Sequence, residues 1–319
     1  MSWSSAEEAI QRLGQTSNSY QSSYLGFYSS WLGGYFREPW AMLMPLDDHG
    51  FHRGDAVFEA VRIHGRAFFD LDAHLQRLQL SAASIGLKLP HTSNELKDIC
   101  VTLGRLCAAD SGVLRLYVSR GPGGFSPNPF ESVGAQVYAA ITTLRAVPEE
   151  TYQKGARVML STVPAKDGFW SQIKSCNYLQ NVLMKKECVE RGYDFAISLD
   201  GQGRVCEGAT ENFALLSSDN DLLVPDFNYT LRGTTVSVVM SLAQELVRQG
   251  HIKSVKLADI RRGDLSLAKE AAMIGTTLGV LPIGSIADQS LAAVPSIFPR
   301  LGQMLLQEMA SNARLRQNF

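Results

Sequence analysis

The sequence predicts an α+β fold arranged in two domains. Its strands are joined by hairpins, as where the β-rich segment 56–63 turns at His64-Gly65 into 66–69. Helical periodicity is confined to separate segments, of which 234–249 is the strongest. The strict strand–helix alternation of a doubly wound parallel sheet is missing. At about 150 residues per domain, a chain of 319 residues indicates two domains.

A polar segment at 144–150 contains a proline, follows a strand and marks the predicted domain boundary. We therefore expect a small α/β domain over 31–143, a connector over 144–150 and a larger domain over 151–319. Residues 1–30 are rich in Ser, Tyr and Trp. They are expected to form a loosely packed extension or, alternatively, an arm that covers a partner subunit.

Periodicity and turn residues assign the individual elements. In the smaller domain, a helix over 72–86 begins at Asp70 or Asp72 and ends at Gly86. The other elements predicted there are a helix at 94–108, strands at 113–119 and 136–143, and a Gly/Pro-rich loop at 120–131. In the larger domain we predict strands at 156–162, 194–200, 211–216, 271–275 and 279–286, and helices at 179–191, 234–249 and 291–311.

Composition excludes several classes of protein. Thirty Lys+Arg against 31 Asp+Glu give a net charge of −1, which argues against nucleic acid or an anionic membrane as a partner. No apolar run reaches the roughly 20 residues needed to span a bilayer, and the acidic N-terminus does not resemble a signal peptide. The five cysteines form no close pair and no zinc spacing, so reduced thiols in the cytoplasm and no metal are expected.

Familiar catalytic motifs are also missing from the sequence. There is no GxGxxG after a strand, no P-loop ending in Lys-Ser/Thr, no HExxH and no GxSxG. Hydrolase triads, metalloproteases and ATPases are therefore disfavoured.

Two isolated ionisable residues stand in distinctive contexts. Lys174 has apolar and neutral neighbours just before a helix, where a lysine can have a lowered pKa and form a Schiff base with a carbonyl. A solvated lysine is the alternative. Glu207 lies beside a glycine after an apolar strand, where it could contact a ligand or could serve as a turn residue.

Three further places could bind an anion. Thr234 and Thr235 begin the 234–249 helix, and a helix N-terminus binds phosphate readily, although threonine also caps helices routinely. Thr276 lies in a second Gly-Thr turn. Arg77 lies on the 72–86 helix and is either a phosphate ligand or a surface residue.

Taken together, these fragments resemble the class IV (fold-type IV) pyridoxal phosphate (PLP) aminotransferases. That family includes branched-chain and D-amino acid aminotransferases, 4-amino-4-deoxychorismate lyases and (R)-selective amine transaminases. Six matched segments occur in family order between Trp31 and Ile286. They are 47–62, 71–78, the segment around Lys174, 207–212, 233–235 and 275–277.

The resemblance implies PLP as cofactor and a role for each residue. Lys174 would form the Schiff base and carry the substrate proton, for which it must be neutral, and Glu207 would face the pyridine nitrogen. Tyr178 would contact the phenolic oxygen, and Arg77 would bind the phosphate. The rest of the phosphate site would be Thr235, Thr276 and the backbone N–H groups of Thr234 and Thr277. The cofactor would lie in an interdomain cleft, beside a mixed, β-barrel-like larger domain, in a homodimer.

The substrate-facing residues are less uniform. Arg53 replaces the usual aromatic residue before Gly-Asp, and an Arg there could bind a carboxylate. Phe58, Arg62 and Arg115 are similar to the branched-chain pattern, whereas 114–124 looks like the lyase subgroup. We also assign Thr277 to the substrate side.

The favoured function is transfer of an amino group from a branched-chain-like or D-amino acid to a 2-keto acid. The alternatives are 4-amino-4-deoxychorismate lyase, which would release pyruvate and 4-aminobenzoate, an (R)-selective amine transaminase, and a non-catalytic relative.

Overall fold

The computed structural model of the chain describes residues 3–291 and 295–319. Over that range the chain divides into two units. The first runs to Leu144 and also contains Ala313–Phe319, and the second is Arg145–Asn312. None of the helices in this described part of the chain is both long and apolar enough to cross a membrane.

The first unit is built on an antiparallel sheet that is covered by two longer helices. Within the described residues its strands are β1 (Tyr24–Ser29), β2 (Gly34–Phe36), β3 (Ala56–His64), β4 (Ala67–Phe69), β5 (Ser111–Ser119), β6 (Gln136–Thr142) and, near the end of the chain, β15 (Arg316–Asn318). Their order across the sheet is β15-β4-β3-β5-β6-β1-β2. The helices are α1 (Ala6–Gln15), α2 (His49–His52), α3 (Leu71–Ser84) and α4 (Ser93–Cys107), of which α3 and α4 pack on the sheet.

The predicted hairpin at 56–69 is present and forms β3 and β4. Its two turn residues, Gly65 and Arg66, have φ values of 54° and 56°, and positive φ at both positions is typical of a type I′ turn. Burial alternates along β3, because successive side chains of a strand point to opposite faces. Val57, Val61 and Ile63 are fully buried on the face that also carries Glu59.

Both ends of the chain contribute strands to this sheet, which differs from the expected boundaries. Residues 1–30 were expected as an extension, yet β1 pairs with β6 and Phe27 of β1 is buried. The last residues were expected in the larger domain, yet β15 pairs with β4 and the Phe319 ring lies 4.7 Å from the Phe68 ring. Both strands are short and their partners are distant in sequence, so no local pattern indicates the pairing.

The second unit contains a mixed sheet and five helices among the described residues. The strands are β7 (Ala156–Leu160), β8 (Phe195–Ile197), β9 (Asn212–Leu216), β10 (Asp221–Pro225), β11 (Ser254–Ala258), β12 (Glu270–Gly275), β13 (Gly279–Ile286) and β14 (Gln289–Ser290). The sheet order is β11-β10-β9-β12-β13-β7-β8, and β14 pairs with β13. The helices are α5 (Glu149–Lys154), α6 (Leu179–Glu190), α7 (Thr234–Arg248), α8 (Arg262–Leu267) and α9 (Ile297–Ser311).

This unit contains every predicted element, with several differences. The strands β10, β11 and β14 and the helix α8 were not predicted, and β8 is shorter than the strand expected over 194–200. The helix α5 begins inside the segment expected as a connector. The helix expected over 291–311 begins at Ile297, and residues 292–294 lie outside the described residues. The core of the unit includes Phe213, Met273 and Leu281, which are fully buried.

A buried carboxylate fixes the start of α9. Glu270, the first residue of β12, is 6% exposed. Its carboxylate accepts the N–H groups of Ser296 (2.8 Å), Ile297 (3.0 Å) and Phe298 (3.2 Å). The first N–H groups of a helix lack partners within the helix, and a negative charge there is favoured by the helix dipole. Glu270 therefore joins the sheet to the last helix.

We predict that Glu270→Ala lowers the free energy of unfolding by about 3 kcal/mol, because several buried N–H donors lose their acceptor. Glu270→Gln keeps one acceptor and should lose less. The measurement is urea unfolding, with Glu190→Ala as control because the ion pair of Glu190 with Lys186 is exposed. Equal losses for Glu270→Ala and Glu190→Ala would contradict the role given to Glu270.

Candidate active site

Lys174 lies in the loop between a short 3-10 turn (Gly168–Gln172) and α6. Its neighbours Ile173 and Ser175 are buried, whereas Lys174 itself is half-buried. The N–H of Ser175 donates to the C=O of Ile173 (2.9 Å), which closes a tight turn with Lys174 at its centre. The buried neighbours therefore hold the backbone from which the lysine side chain extends.

Tyr178 immediately precedes α6 and is associated with a second lysine. Its C=O accepts the N–H of Val182 in the first turn of the helix (2.9 Å). The Nζ of Lys166 lies 4.9 Å from the centroid of the Tyr178 ring, within the range of cation–π attraction. Burial lowers the pKa of Lys166, and the nearby Glu207 carboxylate and Cys176 thiol only partly offset this. A cation therefore lies close to both Tyr178 and Glu207.

Glu207 is held through its backbone and its side chain. Ser198 donates to the C=O of Glu207 with its N–H (3.0 Å) and its hydroxyl (2.9 Å). The Glu207 carboxylate accepts the N–H of Leu231 (3.1 Å), and the side-chain amide of Asn212 donates to the C=O of Leu231 (2.9 Å). Both backbone polar groups of Leu231 are thus hydrogen-bonded, the N–H to Glu207 and the C=O to Asn212. Glu207 and Asn212 also form a β-bridge with each other.

The loop after Leu231 leads directly into α7. A Cβ atom at Gly233 would clash with Oδ1 of Asn212, so a larger residue there would displace the Asn212 side chain that binds the C=O of Leu231. Thr234 and Thr235 form the first turn of α7 and are 8% and 5% exposed. A helix N-terminus offers backbone N–H groups and a positive dipole end to an anion. The contacts of Leu231 therefore connect the Glu207 carboxylate to a potential phosphate site.

The second Gly-Thr turn lies at the same end of this sheet. Thr276 and Thr277 connect β12 to β13. The strand β12 pairs with β9, and Ile274 lies opposite Asn212. The helix α6 joins this end as well, because the amide of Asn181 donates to the C=O of Ala209 (2.6 Å). The predicted residues on the elements joined at this end of the sheet are Tyr178, Glu207, Thr234, Thr235, Thr276 and Thr277. Lys174 lies in the loop that leads into α6, shortly before Tyr178.

In the first unit, Arg77 of α3 pairs with Glu59 of β3. The Nε and NH2 atoms of Arg77 lie 2.8 Å from Oε1 and 2.6 Å from Oε2 of Glu59. His74, one helical turn earlier, places Nδ1 2.7 Å from the same Oε2. Burial by itself raises the pKa of Glu59, but the charges and hydrogen bonds of Arg77 and His74 outweigh it and lower the pKa to about 2. The Glu59 carboxylate is therefore ionised and fully paired.

The residues expected to face the substrate share the opposite face of the same sheet. Phe58 lies opposite Tyr117, and Ala60 lies opposite Arg115, and residues paired across an antiparallel ladder point to the same face. The rings of Phe58 and Tyr117 stack at 5.6 Å, and NH1 of Arg115 donates to the hydroxyl of Thr142 (2.7 Å). Arg62 follows Phe58 by four residues and so lies on this face too.

Arg53 is separated from that group. It follows the short helix α2, its side chain is exposed, and NH1 donates to the C=O of His52 (3.0 Å). Its NH2 group also contacts the C=O of Phe125, in the 120–131 loop. Arg53 therefore contacts the 120–131 loop and lies outside the strands that carry Phe58, Arg62 and Arg115.

Four residues of these networks were not identified from the sequence. Glu59 carried a usable signal, because a charged residue in the buried half of an alternating strand needs a partner. His74 lies three residues before Arg77 and so shares its helix face. Lys166 lies in a polar loop and Asn212 is the first residue of β9, and their partners depend on chain packing rather than on local pattern.

Comparison with known proteins agrees with the resemblance seen in the sequence. The amino-transferase class IV family model matches residues 56–286. The chloroplastic D-amino-acid transaminase of Arabidopsis thaliana is 32% identical over 261 residues, which cover 82% of this chain and 69% of that protein. The D-alanine aminotransferase of Bacillus licheniformis is 31% identical over 250 residues, 78% of this chain and 84% of that protein.

The architecture agrees as well. The crystal structure of the Escherichia coli branched-chain amino acid aminotransferase matches with a TM-score of 0.81 at 26% identity, over 88% of this chain and 93% of that one. The family model covers most of the chain and includes the motifs around Arg77, Lys174, Glu207, Thr235 and Thr276. The chain therefore belongs to the class IV aminotransferases and is a PLP-dependent enzyme that transfers amino groups.

Proposed function

We propose that the second unit binds PLP at the end of its sheet where Glu207 and the start of α7 meet, and uses it to move an amino group from an amino acid to a 2-keto acid. The observation that carries this proposal is the pair of hydrogen bonds to Leu231. They hold the Glu207 carboxylate at a fixed position relative to the N-terminus of α7. A pyridine nitrogen and a phosphate, held a fixed distance apart on one small ring compound, need such a pair of partners.

The donors and acceptors present fit PLP group by group. The N-terminus of α7, with the hydroxyls of Thr234 and Thr235, suits a phosphate. The Glu207 carboxylate suits a protonated pyridine nitrogen, and the Tyr178 hydroxyl suits the ring oxygen. The further phosphate ligands that we propose are Thr276, the backbone N–H of Thr277 and, from the first unit, Arg77.

PLP supplies, when bound, an electrophilic aldehyde carbon and a ring that accepts the electron pair left on the substrate carbon. Lys174 contributes the amine that attaches the cofactor, and its neutral Nζ then accepts the Cα proton of the amino donor and returns it. Glu207 keeps a proton on the ring nitrogen. The amine of Lys166 lies close to both Glu207 and Tyr178.

For the amino donor we propose a D-amino acid or a branched-chain amino acid. Relatives with both names match this chain over most of its length. In the first unit, Phe58 offers an apolar surface, and Arg62 and Arg115 on the same sheet face offer charges for the substrate carboxylate. Arg53 is a further candidate for carboxylate binding, and Thr277 is proposed as the substrate contact of the second unit.

We also propose a cytoplasmic homodimer. Leu179, Val182 and Leu183 are 70%, 57% and 43% exposed and lie at i, i+3 and i+4 on α6, so they form one apolar face. Exposed apolar faces of this kind mark interaction surfaces. The five cysteines are all free thiols, three of them buried, which fits a reducing compartment.

Lys174→Ala is expected to remove the ~420 nm absorbance band of lysine-bound PLP and to reduce transamination by about 100-fold to 10,000-fold, the usual contribution of a general base. Absorbance after reconstitution and a coupled keto-acid assay are the measurements. Lys186→Ala serves as control, because Lys186 pairs with Glu190 at the surface. If the band survives in Lys174→Ala and is lost in Lys166→Ala, the attaching lysine is Lys166.

A donor panel tests the substrate class. D-Alanine or L-leucine should shift the ~420 nm band towards ~330 nm as the amino group reaches the cofactor, and a 2-keto acid should reverse the shift. The amino acid that converts the band faster identifies the donor class. Release of pyruvate from aminodeoxychorismate, with no donor able to shift the band, would replace transamination by the lyase activity.

The oligomeric state is measured by sedimentation velocity. The wild type is expected to be a dimer, and the double variant Val182→Glu/Leu183→Glu should dissociate it, because two charges would be buried without partners. Lys186→Ala, on the same helix, should remain dimeric. A wild-type monomer would refute the proposed dimer, and a double variant that remains dimeric would exclude the α6 face as its interface.

A further inference from the structure

Glu59 is an ionised side chain with no exposed surface, on a sheet face that is otherwise apolar. Val57, Val61 and Ile63 occupy the neighbouring inward positions of β3. Replacing a buried ion pair by apolar residues of similar volume is often neutral or stabilising. The stability of the sheet therefore does not by itself account for a carboxylate at this position.

The geometry around Glu59 fixes the orientation of one arginine. Oε1 accepts Nε of Arg77, and Oε2 accepts NH2, so the pairing is bidentate and sets the plane of the guanidinium. His74 binds Oε2 from the same helix and fixes the carboxylate in turn. The Arg77 side chain is only 12% exposed, which leaves it little freedom to adopt other conformers.

An arginine oriented in advance binds an anion more tightly than a mobile one. A free arginine side chain loses considerable rotamer entropy when it is immobilised on a ligand, and a side chain that is already ordered avoids that loss. The partner that a planar guanidinium suits best is a carboxylate or a phosphate. The carboxylate is present in Glu59, and the phosphate is the group that the proposed function assigns to Arg77.

We propose that Glu59 is a positioning residue for cofactor binding, which holds Arg77 in the orientation that binds the PLP phosphate, and that His74 holds Glu59 in place. The proposal rests on the assignment of Arg77 to the phosphate in the proposed function. Neither Glu59 nor His74 touches the cofactor in this scheme. Their effect on binding therefore depends on the phosphate and passes through Arg77.

The experiment compares two ligands that differ only in the phosphate. Affinities for PLP and for pyridoxal are measured by titration of the apo protein, with absorbance as the readout, and urea unfolding verifies that each variant is folded. Glu59→Gln should bind PLP about 10- to 100-fold more weakly, the loss expected when a hydrogen bond to a charged group is no longer made. Its affinity for pyridoxal should be unchanged.

Asp72→Asn is the matched control. Asp72 lies on the same helix α3 and pairs with Lys97, and its side chain is 73% exposed. This variant also replaces a carboxylate by an amide and breaks one ion pair. It should bind both ligands as the wild type does. Equal losses for PLP and pyridoxal in Glu59→Gln would overturn the proposal, because a general structural defect does not distinguish the phosphate.

Arg77→Gln separates this proposal from the function on which it rests. It should lose PLP affinity and keep pyridoxal affinity, and adding Glu59→Gln should weaken PLP binding no further, because residues that act through one group are not additive. If Arg77→Gln binds PLP normally, the phosphate assignment itself fails. If Arg77→Gln loses PLP affinity and Glu59→Gln does not, only the role of Glu59 fails.

Variants of His74 test the proposal if Glu59→Gln does not fold. His74→Leu removes the donor to Oε2 and leaves the Glu59–Arg77 pair, so a smaller loss of PLP affinity in the same direction is expected. His74→Asn retains a donor near the position of Nδ1 and should restore binding. Wild-type PLP affinity in a folded His74→Leu variant would refute the part given to His74.

Discussion

The two hydrogen bonds to the backbone of Leu231 are the constraint on which the proposed site depends. A carboxylate that is partly removed from water needs donors, and Glu207 obtains one from a peptide N–H rather than from a mobile side chain. Asn212 binds the other polar group of the same residue, and its side chain leaves no room for a Cβ atom at Gly233. The backbone of Leu231 is therefore held just before the loop that leads into α7 at Thr234.

Buried carboxylates that join distant elements recur through the chain. Glu270 joins the start of β12 to the start of α9, and Glu59 joins β3 to α3 through Arg77 and His74. In each case the negative charge is met by several donors, since leaving such a group unpaired costs far more than the pair contributes. Because Glu270 and Glu59 each join two elements, they occupy buried positions where apolar residues would otherwise pack.

Successive side chains of β3 point to opposite faces of the sheet, so the strand carries different functional groups on its two faces. Glu59 and the arginine that it holds lie on the helix-covered face, whereas Phe58 and Arg62 lie on the other face with Arg115. Because neighbouring residues of a strand point in opposite directions, a short run of sequence supplies both the carboxylate that pairs with Arg77 and an apolar surface with charges. The hydrophobic positions between them keep the strand in register with β5.

The sequence by itself determined the elements with a clear period and the residues that carry a family motif. The β3–β4 hairpin, α3, α7 and the motifs at Lys174, Glu207 and Thr234-Thr235 are local patterns, because burial periodicity, turn chemistry and capping each involve only a few adjacent residues. Tertiary structure alone decided that β1 and β15 join the first sheet, that Lys166 lies over Tyr178 and that Glu59 holds Arg77. These contacts join residues that are 12 or more positions apart or on different elements, and their partners are set by which strands and helices lie side by side.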